Sequence, residues 1–142
     1  MQTIRQILEN KGYEVLSISP GASVYSAIEI MAENGIGALM VMEEERIAGL
    51  ISERDYARKV ILKGRSSIDT EVREIMTTHV VCASPEQSVE EGMALMTEKR
   101  VRHLPVMDGG KLVGIVSIGD LVKAIIAEQR FIIEQLEHYI CS

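Results

Sequence analysis

An internal duplication constrains this chain more than any other feature: shifted by 65 positions, residues 15–60 align with residues 80–125 without a gap. The two copies share a Ser-Pro pair, a row of aliphatic positions and the pattern Gly-x-x-Ser-x-x-Asp. Such self-similarity predicts two copies of one supersecondary unit. We therefore expect two halves, 1–70 and 71–142, packed about a pseudo-twofold axis, because a unit this small buries little core alone.

The composition is that of one globular module and excludes several classes of protein. Of the 142 residues, 46% are hydrophobic, and the net charge of −6 argues against a general nucleic-acid surface. No apolar run approaches the roughly 20 residues that span a bilayer, so no membrane association is expected. The only cysteines, Cys82 and Cys141, form no disulfide framework or metal array. The reducing cytoplasm is the expected compartment, with Cys82 as a small core residue.

Each half predicts the order β-α-β-β-α, which makes this an α/β (α+β) fold. After a lead-in helix at 1–12 that ends at Gly12, the first copy is expected to form a strand at 15–18, a helix at 24–34, a hairpin at 38–51 and a helix at 52–62. The second copy repeats these with a strand at 80–83, a helix at 89–99, a hairpin at 103–116 and a helix from 118. A polar connector at 63–70 joins them.

The last helix is predicted to be unusually long. No stop signal follows Ile118, and apolar residues recur at helical spacing as far as Tyr139. This is more apolar surface than one repeat needs. We expect part of the helix to dock on a partner chain.

A serine and an aspartate recur at both predicted junctions from strand to helix, as Ser52 with Asp55 and as Ser117 with Asp120. Serine can cap a helix, and the amides of the first turn can hold an anion. An anion site and a carboxylate one helical turn apart are the two groups needed to bind a nucleotide, the first by its phosphate and the second by its ribose hydroxyls. The alternative is that the serines are only caps and the aspartates only favourable first-turn charges; their duplication favours binding.

With the duplicated unit, the Ser-Pro pairs and the segment Arg102-His103-Leu104-Pro105-Val106, the chain resembles a tandem pair of cystathionine-β-synthase (CBS) domains, in the manner of a small stand-alone bacterial CBS-pair protein. The resemblance covers about residues 10–127. It implies a non-catalytic sensor or regulatory module that binds AMP, ADP, ATP, NAD(H) or S-adenosylmethionine in clefts between the repeats. It also implies a homodimer in a four-repeat disc, an effector protein that receives the signal, and no metal.

The resemblance also assigns contacts to individual residues. Asp120 and Asp55 would take the ribose hydroxyls, and Ser117 and Ser52 would contact phosphate, together with amides of the first turn such as those of Ile118 and Gly119. The remaining assignments are phosphate contacts from Arg102 and His103, a pocket wall from Thr77, and an adenine slot near Val81, Cys82 and Ile118.

The first copy departs from this pattern, because Gly37 and Ala38 stand where the second copy has Arg102 and His103. The charge for a phosphate would have to come from elsewhere in the sequence. The candidates are Arg54, Arg58, Lys11 and Arg65. We therefore expect unequal sites, with the one that uses Asp120 the tighter.

Two other functions are considered from the sequence. The repeats could form a ligand-free structural module in which the apolar tail mediates dimerisation. An enzyme acting on nucleotides ranks last, because no base, nucleophile or metal-ligand set accompanies the two carboxylates.

Overall fold

The computed structural model describes residues 2–141, except for the side chain of Cys141. The elements in the first part of the chain are α1 (Ile4–Lys11), β1 (Ser17–Ile18), α2 (Val24–Asn34), β2 (Ala38–Glu43), β3 (Arg46–Ser52) and α3 (Glu53–Lys59), followed by a 3-10 turn (Ile61–Lys63). The second part contains α4 (Val72–Ile75), α5 (Val89–Lys99), β4 (His103–Asp108), β5 (Lys111–Ser117) and α6 (Ile118–Cys141). The predicted mixed α/β fold with two repeats and a long final helix is confirmed.

Packing divides the chain differently from the duplication. One compact unit, here the central unit, is Val15–Val80, and the other, the terminal unit, combines the residues before Val15 with those after Val80. Helix α1 precedes the first repeat in sequence but packs on β5 and α6, whereas α4 packs on β3 and α3. The two lead-in helices are therefore exchanged between repeats. The boundary at residue 70 describes the duplication and not the packing.

The central unit is built on a three-stranded sheet in the order β1-β2-β3. Strand β1 runs parallel to β2, and β2 and β3 form an antiparallel hairpin with an irregularity between Val41 and Met42. The apolar side of the hairpin packs against α2, α3 and the exchanged helix α4. The buried cluster consists of Val24, Ala27, Met31, Leu39, Val41, Ile51, Val60, Val72 and Ile75.

The terminal unit repeats this plan around the hairpin of β4 and β5, with the same irregularity between Val106 and Met107. Gly109 and Gly110 both have positive φ, as the predicted Asp-Gly-Gly turn requires. The buried cluster consists of Ile4, Ile7, Leu8, Ala83, Val89, Met96, Leu104, Val106, Val116 and Leu121. Each unit thus encloses its own cluster, which a lead-in helix from the other sequence half completes.

The strand predicted at 80–83 is wrong. Only Ala83 pairs with the hairpin, in a single parallel bridge to Val106. In the central unit the Met40 amide donates to the Leu16 carbonyl (3.3 Å), but position 105, its counterpart, is proline. Because Pro105 has no N–H, the Val81 carbonyl cannot receive the matching bond. The strand predicted at 15–18 is also shorter, since only Ser17–Ile18 forms it.

Helix α6 has 24 residues. Its first turns pack on the terminal unit through Leu121, which is buried, and Ala124 and Ile125, which are partly buried. Beyond these, every described residue of 131–140 is exposed. No helix within residues 2–141 combines the length and the apolar character needed to cross a bilayer.

Candidate functional site

The start of α6 carries a reciprocal capping arrangement between Ser117 and Asp120. The Asp120 amide donates to Ser117 Oγ (3.2 Å), and the Ser117 amide donates to Asp120 Oδ2 (2.8 Å). Such a box forms locally, because serine and a carboxylate three residues later satisfy donors that the helix leaves unpaired. The Asp120 side chain remains 21% exposed. The carboxylate is therefore fixed in orientation and still accessible.

Lys11, the last residue of α1, reaches the same carboxylate. Its Nζ lies 2.6 Å from Asp120 Oδ2 and also donates to the Ile115 carbonyl (2.8 Å). Burial alone would raise the pKa of Asp120, but the hydrogen bonds from Lys11 and Ser117 and the lysine charge together lower it. Asp120 is ionised at neutral pH. The hydrogen bonds from the Ser117 amide and from Lys11 both go to Oδ2.

Arg102 and His103 are held beside this helix start by the backbone. The Ile118 amide donates to the Arg102 carbonyl (2.9 Å), and His103 pairs with Ser117 across the hairpin. Arg102 is exposed and His103 half-buried. Burial and the positive charges of Lys11 and Arg102 lower the pKa of His103, against an opposing effect of Asp120. The predicted residues Arg102, His103, Ser117 and Asp120 therefore do come together, with a neutral imidazole at pH 7.

Fewer backbone amides are available to bind an anion at the start of α6 than the sequence predicts. The Ile118 amide is bonded to Arg102 and the Asp120 amide to Ser117 Oγ. Gly119 provides the remaining amide of this turn, and its exposed position offers room for a ligand. Ser117 Oγ accepts a hydrogen bond at the cap, so a phosphate contact would use the hydroxyl as a donor. Any anion here depends mainly on side-chain cations.

The start of α3 has the same capping arrangement in a more enclosed setting. Asp55 Oδ2 accepts from the Ser52 amide (3.0 Å) and Ser52 Oγ (3.1 Å). Its Oδ1 lies 3.1 Å from Lys59 Nζ and accepts a long bond from Thr77 Oγ1 (3.4 Å). Asp55 is only 8% exposed. Both oxygens have partners, so the arrangement is that of a structural cap.

The other predicted residues of the first repeat do not assemble around Asp55. Arg54 and Arg58 are exposed on α3, and Arg65 forms an ion pair with Glu74. Lys11 was expected to serve the first repeat but contacts Asp120 of the second. Thr77, predicted to line the pocket, contacts Asp55. The exchange of the lead-in segments explains both contacts.

The residues predicted to line the adenine slot are partly accessible. Val81 packs against the core of the terminal unit, whereas Ile118 is 39% exposed. Cys82 is exposed, so its assignment as a core residue was wrong. Its neighbour Ala83 is buried, and successive side chains of an extended segment point to opposite sides, so Cys82 is exposed as its counterpart Ser17 is in β1. Among residues 2–141, no three His, Cys, Asp or Glu side chains are grouped as a metal site.

Two lysines have roles that the sequence reading missed. Lys59 follows Asp55 by four residues on one helix, a spacing that places opposite charges together and was available as a signal. Lys59 also donates to the Ile75 carbonyl (2.9 Å). Lys11 lies 109 positions from Asp120, and no local pattern reveals their contact.

Comparison with known proteins identifies both repeats. The CBS domain family model matches residues 4–62 and 72–127. The mitochondrial CBS domain-containing protein CBSX3 of Arabidopsis thaliana is 40% identical over 147 residues, which cover 97% of this chain and 71% of the relative. The two matched segments fall on either side of the polar connector.

Solved structures agree with this comparison. A protein with CBS domains from Burkholderia ambifaria is 55% identical, superposes with a TM-score of 0.87, and is matched over 90% of this chain and 96% of its own. A CBS domain pair solved with 5′-methylthioadenosine and S-adenosyl-L-methionine shares the fold at 22% identity and a TM-score of 0.79, over 90% of this chain and 98% of its own. The repeats, their order and these matches show that this chain belongs to the CBS domain family, as a pair of such domains.

Proposed function

We propose that this CBS pair is a regulatory module that binds an adenosine-containing ligand at the start of α6. The single observation that carries the proposal is the convergence of Lys11, Arg102, His103 and Asp120 on one capped helix start. AMP, ADP, ATP and NAD(H) are the ligands we expect. No catalytic step is proposed.

The ribose is assigned to Asp120. A carboxylate can accept hydrogen bonds from both hydroxyls of a cis-diol. Here Oδ2 is already engaged with the Ser117 amide and Lys11, so the diol would bind chiefly through Oδ1. The lowered pKa of Asp120 keeps the acceptor charged at neutral pH. Asp55, with both oxygens engaged, is the weaker candidate.

The phosphates are assigned to Arg102, Lys11 and the Gly119 amide. Arg102 is exposed, and a guanidinium suits phosphate because its donors form a planar fork. Lys11 can exchange Asp120 for a phosphate oxygen, since both are anionic acceptors. That exchange would weaken the ion pair that joins α1 to the start of α6. The free and bound states would then differ in this contact, and a ligand shifts a conformational equilibrium only through such a difference.

Two further points support an adenosine ligand. A structural neighbour was solved with 5′-methylthioadenosine and S-adenosyl-L-methionine, although at 22% identity the likeness itself extends to the fold alone. In this chain Ile118 offers an exposed apolar side chain beside Asp120, which suits the face of a purine. As the family resemblance implies, we propose that an effector protein receives the signal.

Thermal denaturation with AMP, ADP, ATP, NAD⁺, NADH and S-adenosylmethionine tests the proposal. A ligand present at about 100 times its dissociation constant adds about 2.7 kcal/mol to the free energy of unfolding. We expect at least one nucleotide to raise the melting temperature. Mass spectrometry of ligand that co-purifies with the protein would identify the physiological one. Absence of any shift would reject nucleotide binding, and turnover of a nucleotide would point to an enzyme.

Matched variants locate the site. Asp120→Ala should lose most of the affinity and Asp55→Ala much less, when calorimetric titration is done at a temperature where both proteins remain folded. Asp120→Asn keeps an acceptor for the cap and separates loss of binding from loss of folding. Arg102→Gln should weaken a phosphorylated ligand while leaving adenosine unchanged. Equal affinities for wild type, Asp120→Ala and Asp55→Ala would discard the assignment.

A second candidate function is a structural dimerisation module that needs no ligand. The exposed apolar residues on the second half of α6 favour it, because they exceed what the terminal unit covers. The homodimer implied by the family resemblance stays a prediction in either case. A dimer that shows no nucleotide-induced shift would favour this alternative.

A further inference from the structure

His103 lies among charged groups that three segments of the terminal unit bring together. It is the first residue of β4 and pairs with Ser117, the residue that caps α6. It is half-buried. Three charged residues act on its imidazole, namely Arg102 beside it in sequence, Lys11 at the end of α1 and Asp120 in the first turn of α6. A titratable group is thus placed where the phosphates of a ligand are assigned.

In the free protein these surroundings disfavour a proton on His103. Lys11 Nζ and Asp120 Oδ2 are 2.6 Å apart and largely neutralise each other, whereas Arg102 is an exposed cation. Burial and the charges of Lys11 and Arg102 lower the pKa of His103, and Asp120 opposes them. The imidazole is therefore neutral at pH 7, with one ring nitrogen as a donor and the other as an acceptor.

A bound anion reverses this balance. A phosphate or sulfate dianion that pairs with Arg102 offsets a charge that opposes protonation and adds negative charge near the ring. An opposite charge within about 4–6 Å favours the charged form of a titratable group. The imidazolium also donates from both ring nitrogens, and hydrogen bonds between ionised partners are stronger than neutral ones. Protonation of His103 thus gives the anion a further donor.

We propose that an anion bound at the start of α6 takes up one proton, on His103, so that binding strengthens as pH falls. This rests on the proposed function for the position of the anion, and it concerns the phosphate part of the ligand. Affinity should increase until pH is low enough to protonate His103 in the free protein as well. We expect the dissociation constant of sulfate to be about fivefold lower at pH 6.0 than at pH 8.0. The module would then respond to acidification as well as to ligand concentration.

An NMR titration of the full chain tests the uptake of the proton. Sulfate is the probe, because it remains doubly charged where a phosphate monoester, with a second pKa of about 6, does not. The histidine resonances are followed against pH in sodium sulfate and in sodium chloride of equal ionic strength, since salt alone screens the neighbouring cations. The pKa of His103 should be higher in sulfate. His79 and His138, both exposed, are internal references, and His103→Gln assigns the resonance.

The affinity for sulfate tests the consequence, with the shift of the Gly119 amide resonance as the signal at each pH. His79→Gln, a matched control in the central unit, should keep the pH dependence, and His103→Gln should lose it. An equal His103 pKa in the two salts, a pH dependence that persists in His103→Gln, or no sulfate binding would overturn the proposal.

The same measurements with AMP separate this inference from the proposed function. If AMP binds while sulfate and AMP both leave the pKa of His103 unchanged, the coupling to a proton is rejected and nucleotide binding stands. If sulfate raises the pKa of His103 but no adenosine ligand raises the melting temperature, the coupling stands and nucleotide binding is rejected.

Discussion

The starts of α3 and α6 have the same capping residues but different surroundings. At α3, the Asp55 side chain is 11% exposed and both of its oxygens are engaged by Ser52, Lys59 and Thr77. At α6, the Asp120 side chain is 21% exposed, and its ammonium partner comes from Lys11 on a distant helix. Lys59 is local to α3, at four residues from Asp55.

This difference separates a structural cap from an accessible site. Duplication supplied each half with one serine and one aspartate that stabilise a helix start. Burial makes the Asp55 carboxylate less accessible to a ligand, whereas the Asp120 carboxylate is partly exposed beside Arg102 and His103. The same motif therefore has different surroundings in the two units. Four experiments test this difference between the two units, in order of decreasing expected effect.

The largest contrast is expected at Gly49 and Gly114, which are 65 positions apart. A Cβ at Gly49 would lie 2.6 Å from the Thr77 carbonyl oxygen, which the backbone bonds between Leu50 and Thr77 hold in place. A Cβ at Gly114 would lie 2.7 Å from Cδ2 of Leu8, the end of a flexible side chain. Gly49→Ala should cost about 3 kcal/mol and Gly114→Ala about 1 kcal/mol.

Urea denaturation of the two alanine variants measures this difference directly. If Gly114→Ala proves the more damaging, Leu8 is held more rigidly than its side-chain position implies, and the contrast between a backbone neighbour and a side-chain neighbour fails.

The two aspartates should differ next. Asp55→Ala removes a buried cap acceptor and leaves Lys59 and Thr77 without it, which should cost about 2 kcal/mol. Asp120→Ala removes a similar cap and a partly exposed ion pair, at about 1 kcal/mol. Chemical denaturation of both, beside Asp55→Asn and Asp120→Asn, provides the measurement. Equal losses would mean that enclosure does not distinguish the two helix starts.

A smaller effect is expected from pH, confined to the terminal unit. The folded pKa of His103 lies below its ordinary value near 6.5, because burial and neighbouring cations oppose protonation. The unfolded chain therefore binds more protons, and stability should fall as pH decreases below about 6.5. His103→Gln should show a shallower fall between pH 7 and 5.5. Identical slopes for variant and wild type would contradict the lowered pKa.

The smallest effect is expected at Pro105. Pro105→Met introduces the amide that its counterpart Met40 uses to bond the Leu16 carbonyl. The Val81 carbonyl then gains a donor, and a short parallel strand like β1 should form at 81–83. Hydrogen exchange of the new amide at position 105 measures this, with the Met40 amide as internal reference. A fast-exchanging amide at position 105 would show that proline is not what prevents the strand.

Much of this protein follows from local sequence. The helix that ends at Gly12, the hairpin at Asp-Gly-Gly, and the two capping serines were predictable because each depends on residues within a few positions. The absence of a strand at 80–83 could be predicted from Pro105 only once it was known that this segment lies beside β4. The contact between Lys11 and Asp120 was not foreseeable, since 109 residues separate them.

By itself, the sequence determined the duplicated β-α-β-β-α order, the CBS family and the helix starts with a serine and an aspartate, because these arise from periodicity and short-range hydrogen bonding. The tertiary structure decided which lead-in helix completes which unit. It therefore decided that Lys11 meets Asp120 while Thr77 meets Asp55. Local patterns carry no information about such exchange, since either assignment would bury an apolar lead-in helix.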